Sequence, residues 1–356
     1  MTQIPISDAY FAAANSCDGF YSRFPALFDP HSGEWQKIYI IKGGPGTGKS
    51  SFMKRAAEHA EKKGLHVERY YCSADPRSLD GIRIPQIGTA MLDGTAPHTV
   101  DPVCPGAVEE IINMGMFFDV RALREKAEII RALGDEHSAH HLRAKRYLRA
   151  AGAMRETVLS QYAEAYLSEK AEAAVLRLIQ NMPREKEPFA EVQIVTAISA
   201  QGIVHLPTAE RGECVYVTDN GRAALFFDSL ISAAEHRGVS YVRYASPLRP
   251  VETEGVSFPK VGMTWFSDRY GRTEDAQVMP GRPLNTGRFF DTASVAARRG
   301  RIRFARECES SLLDGACEAL ACAGRVHDAL EGHYIAAMDF DAMNAYTERF
   351  LQSFCE

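Results

Sequence analysis

Short apolar runs alternate with longer helical stretches along the first half of the chain. Ile38-Tyr39-Ile40-Ile41 is a compact, β-rich run, and Ser51 to Lys63 follows a helical spacing that Gly64 stops, so the pattern predicts strand, loop, helix. Val67 to Cys72 predicts a second strand, ending in the turn Ser73-Ala74-Asp75-Pro76. Gly81 to Pro85 reads as a connection, and Ile87-Gly88-Thr89-Ala90-Met91-Leu92 as a third strand closed by Asp93 and Gly94. Residues 1–37 carry turn formers at Asn15 to Gly19 and at Pro25, Pro30 and Gly33, and read as a short lead-in. From Ala107 the spacing turns helical, with many Ala, Glu, Arg and Leu, and predicts a helical subdomain over 107–180. The polar stretch Asn181 to Pro188, with prolines at 183 and 188, is the best linker in the chain.

The pattern after the linker repeats the pattern before it. At one offset of 174 residues, Phe52 falls on Phe226, Glu61 on Glu235, Gly64 on Gly238, Arg69 on Arg243, Tyr70 on Tyr244, Pro76 on Pro250, Gly81 on Gly255 and Gly88 on Gly262. Phe117-Phe118-Asp119 returns as Phe289-Phe290-Asp291, and helical spacing returns from about Ser294. A single ungapped register predicts two copies of one unit, over 1–183 and 191–356.

Between the first strand and helix lies Gly43-Gly44-Pro45-Gly46-Thr47-Gly48-Lys49-Ser50-Ser51, which has the Walker A spacing of a glycine, four residues, then Gly-Lys-Ser. Glycines let a backbone wrap closely around a phosphate, and the helix N-terminus adds positive potential. Lys49 is expected at the β- and γ-phosphates and Ser50 on Mg²⁺, a hard ion that prefers oxygen. Asp93, at the end of an apolar run, is the candidate metal-side acid, and Asp75, at the carboxyl edge of the second strand, is a candidate base or a turn-capping residue. Asp80 reads as a turn residue, and His98 as a surface histidine or a γ-phosphate contact. In the second copy Gly48, Lys49 and Ser50 fall on Arg222, Ala223 and Ala224, Asp93 falls on Ser267, and Asp219 adds negative charge. That copy is expected to bind no nucleotide.

Composition changes this picture little. With 356 residues, 46% hydrophobic and 24% charged, the chain is long enough for two or three soluble domains, and a net charge of −5 argues against a general nucleic-acid binder. No apolar run approaches the roughly 20 residues that span a bilayer, and eight cysteines without a Cys-x-x-Cys pair point to free thiols and a cytoplasmic setting. Arg143, Arg146 and Arg149 share a helix face and read as a solvated stripe or as phosphate-side arginines on a lid; Arg298, Arg299, Arg301, Arg303 and Arg306 admit the same pair of readings and a nucleic-acid contact besides. His137, His140 and His141 lack a carboxylate or cysteine at ligand spacing, and no metal site is assigned there.

The motifs Gly43 to Ser51, Cys72 to Gly81, Asp93 to His98 and Pro105 to Asn113 together resemble a little-characterised bacterial family of tandem P-loop ATPase-like proteins. Many members carry a second intact Walker A loop, which is missing here. The resemblance implies a duplicated three-layer α/β/α fold with largely parallel sheets, each copy with a helical appendage, and ATP as the nucleotide. The function expected is Mg²⁺-dependent ATP binding and hydrolysis with water as acceptor. A small-molecule kinase with Asp75 as base, or a non-catalytic nucleotide sensor, are the alternatives.

Overall fold

The computed structural model describes residues 8–96, 98–210, 212–270 and 283–355. Strands β1 (Asp8–Phe11), β4 (Lys37–Lys42), β5 (Glu68–Tyr71), β6 (Leu79–Ile84), β7 (Thr89–Asp93) and β8 (Glu109–Asn113) form one sheet in the order β1-β5-β6-β7-β4-β8. Only β6 runs against the rest, because it forms a hairpin with β7 through a 3-10 turn at Pro85–Ile87. Strands β9 (Ala190–Gln193), β12 (Glu213–Thr218), β13 (Tyr241–Ala245), β14 (Thr253–Phe258), β15 (Met263–Ser267) and β16 (Leu284–Asn285) form a second sheet with the same neighbours in the same senses, β14 being the reversed strand. Tyr39 pairs with Met91 in the first sheet, and Val215 pairs with Trp265 in the second. Each half also carries a small hairpin, β2–β3 (Ala13–Ser16, Gly19–Ser22) and β10–β11 (Thr196–Ser199, Gly202–His205).

Three sequence expectations are corrected. Residues 8–22 are not a lead-in, since β1 pairs in parallel with β5 and supplies an edge of the sheet. The connection expected at Gly81 to Pro85 belongs to strand β6, buried throughout, and the following strand begins at Thr89 instead of Ile87. β6 hides its character because it buries polar residues: Arg83 bonds to Glu68 (3.0 Å) and Glu34 (3.2 Å), and Asp80 faces His98 (3.2 Å). The helical segment starts at Val120, because Glu109–Asn113 pairs with β4 as a strand.

Side-chain alternation on β4 sets the layers. Tyr39 and Ile41 face α2 (Lys49–Lys62), packing with Phe52, Met53, Ala56 and Ala60, whereas Ile38 and Ile40 face Phe24, Leu27, Phe28 and Trp35 around the short α1 (Phe24–Leu27). α2 is covered in turn by the final helix α8 (Phe340–Ser353), through Met343, Leu351 and the following Phe354. In the second half α6 (Ala223–Arg237) is covered by α5 (Ser168–Ile179), through Ala171, Ala174, Val175 and Ile179. Each half therefore contributes the helix that closes the other's sheet. The preceding helices, α4 (Ala127–Ala163) after the short α3 (Val120–Glu125), and α7 (Thr292–Ile335), lie side by side. Contacts Tyr147 to Gly315 and His137 to His327 run in opposite directions along them, making an antiparallel pair of 37 and 44 residues.

Backbone bonds between the halves come in matched sets. Cys17 N–H donates to the Leu248 carbonyl (2.9 Å) and Ala200 N–H to that of Ala74 (3.2 Å); Leu167 N–H donates to Phe289 (2.8 Å) and Asp339 N–H to Phe117 (2.9 Å). The two bonds of each set join corresponding positions of the two halves. All eight cysteines are free, and among the described residues no helix is long and apolar enough to cross a membrane.

Candidate functional site

The carboxyl end of β4, between parallel β7 and β8, delivers the Gly43–Ser51 loop to the N-terminus of α2. Gly46 (φ +69°) and Gly48 (φ +79°) adopt the left-handed conformation that other residues enter at a cost of about 1–2 kcal/mol. A Cβ on Gly43 would lie 2.7 Å from Thr47 Oγ1, so the tight loop also needs glycine for space. The Thr47 hydroxyl closes it from within, donating to the Gly44 carbonyl at 2.9 Å. No side chain caps α2, so its first-turn N–H groups are open to an anion.

Three predicted side chains converge here. Lys49 Nζ donates to the carbonyls of Gly43 (3.1 Å) and Gly44 (2.9 Å) and lies 3.6 Å from Asp93 Oδ2. It is largely shielded rather than solvent-facing, with 12% of its side chain exposed. Asp93 closes β7, its Oδ1 accepting from Thr95 N–H (2.9 Å) and from the Thr95 hydroxyl. Ser50 Oγ accepts from Leu79 N–H (2.9 Å) and keeps a second lone pair and its proton. An ammonium, a carboxylate and a hydroxyl around a glycine cradle fit a phosphate chain and a hard, oxygen-preferring cation. Pro45 completes the loop, while Ser51 is exposed on α2.

Among the other candidates Asp80, with His98 beside it, is near enough to Asp93 for their charges to interact. Asp75 caps its own turn, accepting from Arg77 N–H (3.2 Å) and Nε (2.8 Å), and also accepts from Gln201 Nε2 (3.0 Å) of the second half. Asp80 and His98 were read as a turn and a surface residue; both are buried. Asp80 stands opposite Asp93 across the β6–β7 hairpin, whose register pairs Gly81 with Leu92. Burial raises its carboxyl above the ordinary value, against the opposing pull of His98. His98 stacks on Phe24, with ring centroids 4.4 Å apart. Arg143, Arg146 and Arg149 are exposed on α4, and Arg298 pairs with Glu164.

The second half has a shorter loop at the corresponding place. Between β12 and α6 only residues 219–222 remain, four against the six of 43–48. Asp219, buried at 2% exposure, accepts from Ala223 N–H (2.7 Å) and caps the helix itself. Arg155, reaching across from α4, donates to the Gly221 carbonyl (2.9 Å) and to Glu252 (2.7 Å). Arg269 pairs with Glu309 of α7 and lies 4.0 Å from Glu252. Burial alone would raise the Asp219 carboxyl; Arg155, Arg269 and the Ala223 and Gly221 amides outweigh it and hold it below the ordinary carboxylate range. Sequence reasoning did not find Arg155 or Glu252. The available signal was an arginine set among the small residues Ala150 to Ala153, where two helices approach closely.

The elbow between α7 and α8 rests on the first loop. A Cβ on Gly44 would meet the Tyr334 ring at 3.2 Å, one on Gly46 would meet Ile335 and Glu331 at 2.8 and 2.9 Å, and one on Gly48 would meet Met343 at 3.2 Å. The α4–α5 elbow rests on the second loop in the same way, through Val158 against Gly221 and the Tyr162 hydroxyl bonded to the Asn220 carbonyl (3.1 Å). No family model matches the chain, and neither the curated proteins nor the solved structures contain a match.

Proposed function

We propose that the chain is a duplicated P-loop NTPase-type protein, akin to the tandem ATPase-like family, with one working nucleotide site. The convergence of Lys49, Ser50 and Asp93 on a six-residue glycine loop carries this reading. Gly43 to Gly48 hold the phosphates of ATP, Lys49 leaves the loop carbonyls for the β- and γ-oxygens, and Ser50 and Asp93 hold Mg²⁺. The ion, when bound, offsets phosphate charge. The second half binds no nucleotide, since its loop is two residues shorter and its pocket is filled by the Arg155–Glu252 pair. Eight free thiols favour the cytoplasm.

The α7–α8 elbow supports hydrolysis with a conformational output. It belongs to the second half yet touches three glycines of the loop, so a phosphate that moves the loop also moves the elbow. Calorimetry with ATP·Mg²⁺ tests the site and should give one nucleotide per chain. Turnover with and without a panel of hydroxylated acceptors tests the reaction. ADP formed without acceptor supports an ATPase, acceptor-dependent turnover supports a kinase, and binding without turnover supports a sensor. Two equivalent sites, or none, would refute the assignment.

A further inference from the structure

The two ends of the α4–α7 pair present matching positions to the two loops. Tyr162 and Tyr334 stand 172 residues apart, as do Phe117 and Phe289, and each tyrosine covers one loop. At that spacing Arg155 corresponds to His327, and Glu309 to His137. In the second half these positions send charged side chains into the space beside the loop, Arg155 to Gly221 and Glu252, and Glu309 to Arg269. In the first half the corresponding positions hold imidazoles, His327 and His137.

His327 lies one turn, about 5.4 Å along the helix, before Glu331, whose side chain and carbonyl border Gly46. The rings of His137 and His327 are 5.5 Å apart, and His141 Nε2 lies 3.1 Å from His137 Nε2. Arg77, in the loop after β5, is near enough to Asp328 and Glu331 for their charges to act on it, which places this part of α7 at the carboxyl edge of the first sheet. An imidazole is shorter than a guanidinium arm.

We propose that His137, His141 and His327 form the wall of the first-half site that faces the terminal phosphate of the nucleotide and the attacking water. This inference rests on the reading of Gly43–Ser51 as a phosphate loop. Burial and the neighbouring imidazoles hold His137 below its ordinary value, and burial, with His137 and Lys145, brings His141 to about 4, so both are neutral near pH 7. A neutral imidazole presents one N–H donor and one nitrogen acceptor, which suits a phosphate oxygen on one side and a water on the other. Among the described residues no group of three or more His, Cys, Asp or Glu is placed to hold a metal ion.

Histidine-selective isotope labelling of the full chain tests the proposal by NMR, with His137→Gln and His327→Gln used to assign the imidazole signals. ADP·Mg²⁺ and a non-hydrolysable ATP analogue with Mg²⁺ are added separately. The analogue should shift the His137, His141 and His327 signals and ADP should leave them in place. His327→Gln should weaken the analogue about ten-fold, the scale of one lost hydrogen bond, with ADP affinity held within two-fold. If both nucleotides bind the parent in a Lys49-dependent way while the imidazole signals stay fixed, the histidines only pack the helices and the inference is overturned. The parent spectra decide this even if a variant fails to fold. A parent chain that binds neither nucleotide overturns the proposed function instead, and this inference with it.

Discussion

Replacing Arg155 with Met removes the cation that fills the second pocket while keeping most of the stem volume. The Arg155 side chain is 3% exposed, and it donates to Glu252 at 2.7 Å and to the Gly221 carbonyl at 2.9 Å. Each charge-assisted bond is worth about 1.5–3 kcal/mol, and breaking a buried ion pair from one side costs about 3–5 kcal/mol. Glu252 keeps some compensation, because Arg249 Nε lies 2.8 Å from its other oxygen. The expected loss is therefore near the lower end, about 3 kcal/mol. Urea unfolding of the parent, Arg155→Met, Glu252→Gln and the double variant measures both the loss and the coupling. The double variant should recover part of the loss, with a coupling energy of about 1.5–3 kcal/mol. ATP affinity at the first loop should not change. A single variant within about 0.5 kcal/mol of the parent, or zero coupling, would show that the pair does not hold the second pocket closed.

Three further outcomes are expected. Lys49→Ala should abolish measurable ATP·Mg²⁺ binding by calorimetry with the fold retained by circular dichroism; unchanged affinity would remove the phosphate-cradle assignment. Asp93→Asn should reduce Mg²⁺-dependent turnover far more than metal-free nucleotide binding, since the amide keeps the shape without the charge; equal activity would move the metal-side role to Asp75 or Asp80. Glu254, buried on β14, has its carboxyl pushed up to about 8 by burial, so it costs stability increasingly as pH rises from its unfolded value of 4.5 toward 8. Glu254→Gln should therefore exceed the parent in urea stability by a few kcal/mol at pH 8, at about 1.4 kcal/mol per pH unit, with the gap closing by pH 4.5. A gap that is constant across pH would contradict the burial cause.

The glycine loop, its strand and its helix were legible because each obeys a local rule: an apolar run, a fixed glycine spacing, a helical period ended by Gly64. Asp93 was legible as the end of a buried strand, and the two sheets have the same order of strands. What stayed hidden depends on partners distant in sequence. Strand β6 looked like a connection because Asp80 and Arg83 are polar, and the groups that satisfy them, His98, Glu68 and Glu34, do not adjoin them in the chain. The constant offset of 174 also concealed the shortening of the second loop. It aligns the two helices, Lys49 with Ala223, but the strand before the loop sits two residues further on, Ile38 of β4 matching Cys214 of β12. Nothing in the helical periodicity of α5 or α8 says which sheet each will cover, since an apolar stripe specifies that it must be buried and not where.

The exchange of covering helices has a consequence for the order in which the chain is made. When residues 37–113 have left the ribosome, the first sheet has its strands and α2, yet the outer side of that layer waits for Met343, Leu351 and Phe354, more than two hundred residues later. Helix α5, synthesised next, waits in turn for the second sheet. Neither half can close its core while it is the only half present. The final burial of both must therefore fall near the end of synthesis, and a chain truncated before α8 should leave the first half unclosed although its loop and all its strands are intact.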